Sequence, residues 1–204
     1  MDAILLASGG MDSTVLAYYL LNRGDAFAPL FVDYGQHGRD EELQTLQEVL
    51  PAQVVPRINT ISTADVYRES SSRLVREADL WTDDIKAQDL YLPYRNLVLL
   101  SVAAAWAQSV GAKTLYAGFI NSNHAQEIDA TTEFLDRLAA VFQDYGGVRV
   151  QTPFRHMSKS EVARLGQGLG VPLGKTFSCQ ASSKVHCGAC PNCVERLKAL
   201  EDLA

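Results

Sequence analysis

All four cysteines of the chain fall within one short stretch near its C-terminal end, with the spacing C-x7-C-x2-C-x2-C. Four thiolates brought together can complete a closed tetrahedral metal site. A disulfide framework of a secreted protein would instead spread its cysteines along the chain and link distant segments. The pattern therefore predicts one metal site, formed by Cys179, Cys187, Cys190 and Cys193.

Two kinds of metal centre suit four thiolates, a structural zinc ion and an iron–sulfur cluster. A C-x2-C-x2-C run close to a proline is typical of ferredoxins, but there the fourth cysteine follows the triplet and the proline follows that cysteine. Here Cys179 precedes the triplet and Pro191 comes directly after Cys190. This order departs from the ferredoxin pattern.

A second stretch suited to chemistry is the turn Ser8-Gly9-Gly10-Met11-Asp12-Ser13, which follows a short apolar run. Glycines allow a tight turn and a close approach of the backbone to a ligand. The first N–H groups of the next helix, and its dipole, favour an anion such as phosphate. No Gly-Lys-Ser/Thr follows, so this is not a Walker loop. The alternative is a plain turn in which Asp12 caps the helix.

The elements that would position these residues alternate in type along the chain. Apolar runs predict strands at 3–7, 26–32, 53–55, 114–119 and 148–152. Helical spacing predicts helices from the glycine turn to Gly24 and at 41–50, 95–109, 131–145, 159–169 and 194–203. Residues 60–92 show no clean period and predict a long excursion from the sheet. The alternation predicts a Rossmann-like α/β fold with a doubly wound parallel sheet and ligands at the carboxyl ends of its strands.

Further polar side chains should reach the same edge of the sheet. Lys159 begins the helix after the fifth strand, and Arg95 and Asn96 begin the most apolar helix. Tyr34 and Gln36 follow the second strand. Each of these side chains has an ordinary structural alternative, as an exposed charge or a helix or turn cap. Asp33, beside Tyr34, suits either a ribose hydroxyl or a turn cap.

Composition excludes several classes of protein. The chain has 204 residues, with 18 Lys and Arg against 24 Asp and Glu, and a net charge of −6. This acidic balance argues against direct nucleic-acid binding, which needs a basic face. No apolar run approaches the roughly 20 residues of a membrane span, and no secretory signal begins the chain. We expect a cytoplasmic globular protein.

The turn at residues 8–13 matches the S-G-G-x-D-S signature of the PP-loop ATP pyrophosphatases. More motifs follow in order along nearly the whole chain: Phe31-Val32-Asp33-Tyr34-Gly35-Gln36, Leu92-Pro93 before Arg95-Asn96, Thr152-Pro153 before Lys159 and Glu161, and the four cysteines. Together they resemble the 7-cyano-7-deazaguanine synthase family of queuosine biosynthesis. The resemblance implies an adenine nucleotide alpha hydrolase-like fold at 1–172, and a zinc-binding segment at 173–204 packed on it.

The resemblance also implies a reaction and a set of roles. Members of that family use ATP with Mg²⁺ to adenylate 7-carboxy-7-deazaguanine, and ammonia then leads to the nitrile. By this likeness Asp12, Ser13 and Lys159 are catalytic, and the metal is one structural zinc ion per chain. The implied ATP contacts are Ala7, Ser8, Gly9, Gly10, Met11, Asp12, Ser13, Asp33, Tyr34, Gln36, Arg95 and Asn96.

One stretch departs from the family pattern. Its members carry a Tyr-Pro-Asp-Cys-Arg segment after the fourth strand, whereas this chain has residues 121–131 of a different sequence. We expect the substrate base to contact Arg95 together with Asn121, Glu127 and Asp129. The departure suggests one alternative, a relative that passes an adenylated deazaguanine or other carboxylate to another amine or to a protein. A second alternative, from another class, is a non-catalytic adenine-nucleotide sensor. The family also tends to form homodimers.

Overall fold

The computed structural model describes residues 2–79, 86–120 and 130–203. Within them five parallel strands form one sheet, in the spatial order β3-β2-β1-β4-β5. The strands are β1 (Ala3–Leu6), β2 (Ala28–Asp33), β3 (Asn59–Ser62), β4 (Thr114–Ala117) and β5 (Arg149–Gln151). The doubly wound parallel α/β fold predicted from the sequence is therefore confirmed.

Helices cover both faces of the sheet. They are α1 (Met11–Asn22), α2 (Arg39–Val49), α3 (Arg95–Ser109), α4 (Thr132–Gly146), α5 (Lys159–Gly168) and α6 (Pro191–Glu201). Helices α1, α2, α5 and α6 contribute to the core on one face, and α3 and α4 to the core on the other. In the part of the chain that the structure describes, no helix combines the length and the hydrophobicity needed to cross a membrane.

The central strands are apolar throughout because both of their faces are buried. In β1, Leu5 joins the core under α1 and α5, whereas its neighbour Ile4 joins the core under α3 and α4. In β2, Phe31 and Leu30 divide between the two cores in the same way. Burying a side chain of this size contributes roughly 1.5–3 kcal/mol, so these short apolar runs hold the two helical layers together.

The third strand lies later in the chain than predicted. The expected strand at 53–55 is wrong, because Val55–Arg57 is a short 3-10 helix that contains Pro56, which has no N–H to donate to a sheet. The true strand, β3, lies at the sheet edge and pairs with β2, with Thr60 opposite Phe31. It therefore occupies the start of the predicted excursion at 60–92. The described part of that excursion also holds short 3-10 helices at Ala64–Tyr67 and Ala87–Leu90.

The connections leave β1 and β4 in opposite directions along the sheet. The chain passes from β1 through α1 to β2 on one side, while β4 pairs with the other side of β1. Leu6, at the end of β1, lies opposite both Leu30 and Ala117. Segments that diverge at such a switch point leave a crevice at the carboxyl ends of the strands.

Hydrogen bonds fix the C-terminal segment at two places, one within the segment itself and one at the turn after β1. Arg196 of α6 is buried, and its guanidinium donates to the carbonyl oxygens of Leu173 and Gly174 at 3.0 Å each. The N–H of Phe177 donates to the carbonyl oxygen of Gly9 at 3.1 Å. The second bond joins the segment directly to the turn after β1.

Close packing of α1 on α5 yields a stability test. A methyl group on Gly166 would lie 2.7 Å from Val15 Cγ2 and 2.9 Å from Leu173 Cδ2. Gly166→Ala should lower the free energy of unfolding by about 1–3 kcal/mol, as overpacking does. Gly168→Ala is the matched control on the same helix, because nothing lies within 4 Å of its added methyl group. It should raise stability by up to about 1 kcal/mol. Urea unfolding of both variants measures the difference, and equal effects would contradict the packing argument.

Candidate functional site

A cleft of about 310 Å³ opens at the carboxyl ends of β1, β2 and β4. Its walls come from the turn after β1, the segment after β2, the start of α3, the segment after β4 and part of the C-terminal segment. Most of the predicted ATP-binding and catalytic residues line it: Ala7, Ser8, Gly10, Met11, Asp12, Ser13, Tyr34, Gln36, Arg95, Asn96 and Lys159. Residues far apart in the sequence therefore meet in one place, as the alternation of elements predicts.

The two glycines of the turn have different tasks. Gly9 has a φ of +75°, and a methyl group there would lie 2.7 Å from the carbonyl oxygen of Glu42 and 2.8 Å from the nitrogen of Leu46. Its missing side chain therefore makes room for the backbone of α2 within the tight turn, and the close approach to a ligand expected of both glycines falls to Gly10 alone. Gly10 does line the cleft, as the N-cap of α1.

The first turn of α1 lacks a side-chain cap within the described residues. By contrast, Thr131 caps α4 and Ser158 caps α5 through their hydroxyl oxygens. The Ser13 hydroxyl donates to the carbonyl oxygen of Gly10 at 3.2 Å and so stabilises the turn itself. The N–H groups at the start of α1 face a cleft and attract an anion, because the helix dipole adds to their positive charge.

Lys159 and Asp12 form the ion pair at this end of the cleft. The ammonium Nζ of Lys159 lies 2.7 Å from Asp12 Oδ2. The start of α5 is fixed by a capping box, in which Ser158 and Glu161 bond each other's backbone and side chain. These bonds hold the pKa of Glu161 below its usual range. The capping box thereby directs Lys159 across 147 residues of sequence to Asp12.

The second oxygen of Asp12 suits a cation. Oδ1 is buried and has no hydrogen-bond partner among the described residues. Carboxylate oxygens are the ligands that Mg²⁺ prefers, commonly shared with the phosphates of a bound nucleotide. The donor set at this position therefore fits the Mg²⁺ that accompanies ATP.

Glu42 is a cleft residue that sequence reasoning missed. Its Oε2 accepts a hydrogen bond from Gln36 Nε2 at 3.0 Å, and Gln36 Oε1 accepts from the N–H of Tyr34 at 2.8 Å. Burial raises the pKa of Glu42 to about 7, against the opposing effects of the Gln36 bond and the charge of Arg95. In the sequence Glu42 belongs to a charged run on a helix, which is typical of a solvated face.

Arg95 and Asn96 line the cleft directly after a residue with an unusual backbone conformation. Tyr94, the N-cap of α3, has a φ of 54° and a ψ of 29°, the left-handed region that costs a non-glycine residue about 1–2 kcal/mol. No other described residue except glycine has a positive φ. This bend starts α3 with Arg95 and Asn96 facing the glycine turn.

The remaining predicted contacts differ in outcome. Asp33 is not among the residues that line the cleft, and its Oδ1 accepts from the N–H of Gly35 at 2.9 Å. This geometry favours the turn cap over the ribose contact. Gly9 likewise acts through packing. The proposed base contacts Asn121, Glu127 and Asp129 lie outside the described residues.

The four cysteines come together as a metal-ligand group. Their sulfur atoms all lie within 4.8 Å of one another, and the Sγ atoms of Cys187 and Cys193 are 3.9 Å apart. A tetrahedral zinc site with Zn–S bonds of about 2.3 Å requires sulfur separations of about 3.8 Å. All four thiols are free of disulfides. The group therefore has the size of a tetrahedral metal site.

The electrostatics of the thiols also favour a cation. The pKa of Cys179 is lowered to about 4, because the Cys190 thiol and several backbone N–H groups donate to its sulfur. The pKa of Cys190 is raised by its bond to Cys179 and by burial, and burial raises that of Cys193 to about 11. Four adjacent thiolates need a positive charge among them, which a bound metal ion supplies.

The metal-ligand segment also forms one wall of the cleft. The carbonyl oxygen of Gln180 lies 3.1 Å from Nε2 of His37, next to the turn after β2. The segment contributes these lining residues: Phe177, Ser178, Cys179, Gln180, Asn192 and Glu195. Helix α6 begins three residues before its predicted start, so Cys193 and two cleft residues lie within its first turns. The same C-terminal segment therefore carries the metal ligands and forms one wall of the cleft.

The parallel sheet, the switch-point cleft and the glycine turn before an uncapped helix define a PP-loop nucleotide-binding fold. Solved structures agree. A 4-thiouridine synthetase, solved with RNA and ATP, matches with a TM-score of 0.57 and 20% identity, over 98% of this chain and 50% of that one. The NMN synthetase of Francisella tularensis matches with a TM-score of 0.51 and 17% identity, over 97% and 82% of the two chains.

The family is narrower than the fold. The family model described as "Queuosine biosynthesis protein QueC" matches residues 2–204, and the chain belongs to that family. A 7-cyano-7-deazaguanine synthase of Chlorobium luteolum is 31% identical over 98% of this chain and 92% of its own length. One of Caldicellulosiruptor bescii is 34% identical over 98% and 93%. The family and its synthase relatives identify the chain as an enzyme.

Removal of one metal ligand should affect both stability and the cleft. In Cys190→Ser we expect loss of the bound metal and a lower melting temperature, because metal binding in such small segments is folding energy. Ala189→Ser, at the exposed neighbouring position, is the control and should keep both. Metal analysis of anaerobically purified protein with thermal melting gives the result. A Cys190→Ser protein that kept its metal content and melting temperature would contradict the assignment.

Proposed function

We propose that the chain is an ATP-dependent carbon–nitrogen ligase that converts 7-carboxy-7-deazaguanine and ammonia to 7-cyano-7-deazaguanine, with zinc as its structural metal. Relatives named for that product match nearly the whole chain. The observation that carries the proposal is the single cleft in which the Lys159–Asp12 pair, the uncapped start of α1 and the segment after β2 face one another.

The first step overcomes the poor reactivity of a carboxylate, whose direct leaving group would be oxide. A substrate carboxylate oxygen attacks the α-phosphorus of ATP, a new C–O–P linkage forms, and the bond to pyrophosphate breaks. Negative charge builds on the phosphate oxygens, and the α1 N–H groups and the Lys159 ammonium stabilise it. Mg²⁺ held at Asp12 would neutralise further phosphate charge.

The second step forms the carbon–nitrogen bond. Ammonia attacks the carbonyl carbon of the acyl-adenylate, AMP and a proton leave, and the product is the amide. The amide oxygen then attacks the α-phosphorus of another ATP and pyrophosphate leaves. Loss of AMP and of both N–H protons gives the nitrile. The sequence has no glutaminase nucleophile pattern and all four cysteines belong to the metal-ligand group, so free ammonia is the nitrogen source.

Asp12→Ala should abolish AMP formation without unfolding the protein. The substitution removes the oxygen proposed for Mg²⁺ and the partner of Lys159. We expect the rate to fall by about 100-fold or more, as for the loss of one electrostatic group at a transition state. The matched control is Asp144→Ala, at an exposed position on α4. An Asp12→Ala variant with the melting temperature and AMP-forming rate of the wild type would contradict the role.

The reaction itself is tested by mass spectrometry of the purified protein with ATP, Mg²⁺, ammonium and 7-carboxy-7-deazaguanine. We expect the cyano product with AMP formed at each activation. Amide as the end product would keep the adenylation and overturn the final step. No AMP with this substrate would overturn the proposed reaction, and adenylated base transferred to an added amine or protein would support the alternative ligase.

A further inference from the structure

The adenylation steps assign no task to Glu42 of α2, a charged side chain that lines the cleft. Its partner Gln36 is only 6% exposed. The Gln36 amide is held by the N–H of Tyr34 at 2.8 Å and by the carbonyl oxygen of Val32 at 3.4 Å. It therefore cannot turn away, and its Nε2 holds Glu42 Oε2 at 3.0 Å. The other oxygen, Oε1, makes no hydrogen bond to a described residue.

This arrangement costs the free protein stability. Burial disfavours the carboxylate and raises the pKa of Glu42, and Asp33 adds to this effect while Arg95 opposes it. Tyr34 is the other titratable group beside Arg95 and Glu42. A half-buried carboxyl that lines a cleft, with one oxygen fixed and the other without a hydrogen bond to a described residue, is typical of a binding group rather than a structural one.

We propose that Glu42 binds the paired N–H donors of the substrate base, namely the ring N–H and the exocyclic amine of a 2-aminopyrimidin-4-one edge. The inference rests on the function proposed above and names the residue that selects its base. An ionised carboxylate presents acceptors only. Two adjacent donors match it in a bidentate, charge-assisted pair. The adenine edge places an acceptor beside its amine, so it does not match.

The surroundings of Glu42 suit a flat base. The N–H of Glu42 donates to the carbonyl oxygen of Gly38, one turn earlier in α2, at 2.9 Å. A methyl group on Gly38 would lie 3.6 Å from Cε1 of Phe177. Phe177 and Glu42 thus both adjoin Gly38, and both line the cleft. Aromatic surface combined with a few fixed polar groups is the usual composition of a site for a small planar ligand.

The first experiment compares Glu42→Gln with Glu48→Gln. Glu48 lies on the same helix but is exposed and outside the cleft. Like Glu42, it accepts a hydrogen bond from a glutamine amide, Gln44 Nε2, at 2.9 Å. We expect Glu42→Gln to raise the KM for 7-carboxy-7-deazaguanine by about 10–100-fold, as for a lost charged hydrogen bond. The KM for ATP should stay as in the wild type, and Glu48→Gln should change neither constant.

A substrate analogue that lacks the exocyclic amine provides the complementary deletion. The wild type should lose about 10-fold or more in kcat/KM on this analogue, whereas Glu42→Gln should lose little further, because the partner of the amine is already gone. Thermal melting above pH 7 should show Glu42→Gln at least as stable as the wild type, since the variant buries no charge there. Glu42→Asp keeps the charge on a shorter side chain. Its KM for 7-carboxy-7-deazaguanine should lie between those of the wild type and of Glu42→Gln.

Four results would overturn the inference. A higher KM for ATP with an unchanged KM for the base would assign Glu42 to adenine. Equal losses on the analogue in wild type and Glu42→Gln would show that the carboxyl does not contact the amine. A lower melting temperature with unchanged constants would make Glu42 structural. A wild type that forms no AMP from the deazaguanine would overturn the proposed function and this inference together, whereas an active wild type separates the two.

Discussion

The cleft depends on close packing around Gly9. The residue has a left-handed φ, and α2 lies so close that a side chain would meet the backbone of Glu42 and Leu46. Its carbonyl oxygen accepts the N–H of Phe177 from the C-terminal segment. One residue without a side chain thus brings together the phosphate-type turn, the helix that carries Glu42 and the segment that carries the metal ligands. Larger residues at this position would move all three walls of the cleft relative to one another.

This packing explains how a metal site can matter for a reaction in which it takes no part. The C-terminal segment has a small hydrophobic cluster of its own, formed by Phe177, Ala181 and three of the cysteines. So small a cluster supplies little folding energy, and segments of this kind commonly rely on a metal or another cross-link. The bound metal would hold Phe177 and the start of α6 against the glycine turn. It would thereby influence the reaction indirectly, by fixing the residues that form one wall of the cleft.

Local signals account for what the sequence predicts correctly. The capping box of α5, the apolar runs of β1 and β2 and the spacing that brings four cysteines together each lie within a short stretch of the chain. The strand β3 was misplaced because an edge strand exposed on one face needs few apolar residues, and Ile61 is its single large one. Glu42 was missed because its burial depends on Gln36 and Arg95, which approach it only in the folded chain. The task of Gly9 likewise depends on the position of α2, which no local pattern contains.

The charges of the cleft show how an acidic protein can hold anionic ligands. The net charge of −6 repels nucleotides at long range, so attraction must be local. The Lys159 ammonium is balanced by Asp12, and the charge of Arg95 lowers the pKa of Glu42 without an ion pair between them. In the proposed reaction Mg²⁺ would bind Oδ1 of Asp12, while Lys159 stays at Oδ2, so that both cations lie beside the phosphates. The base would bring two N–H donors to the Glu42 carboxylate and leave Arg95 near the substrate carboxylate. Because charge-assisted bonds are strong only where water is excluded, each of these contacts would gain most after both ligands have filled the cleft, which in the proposed reaction couples the binding of ATP to that of the base.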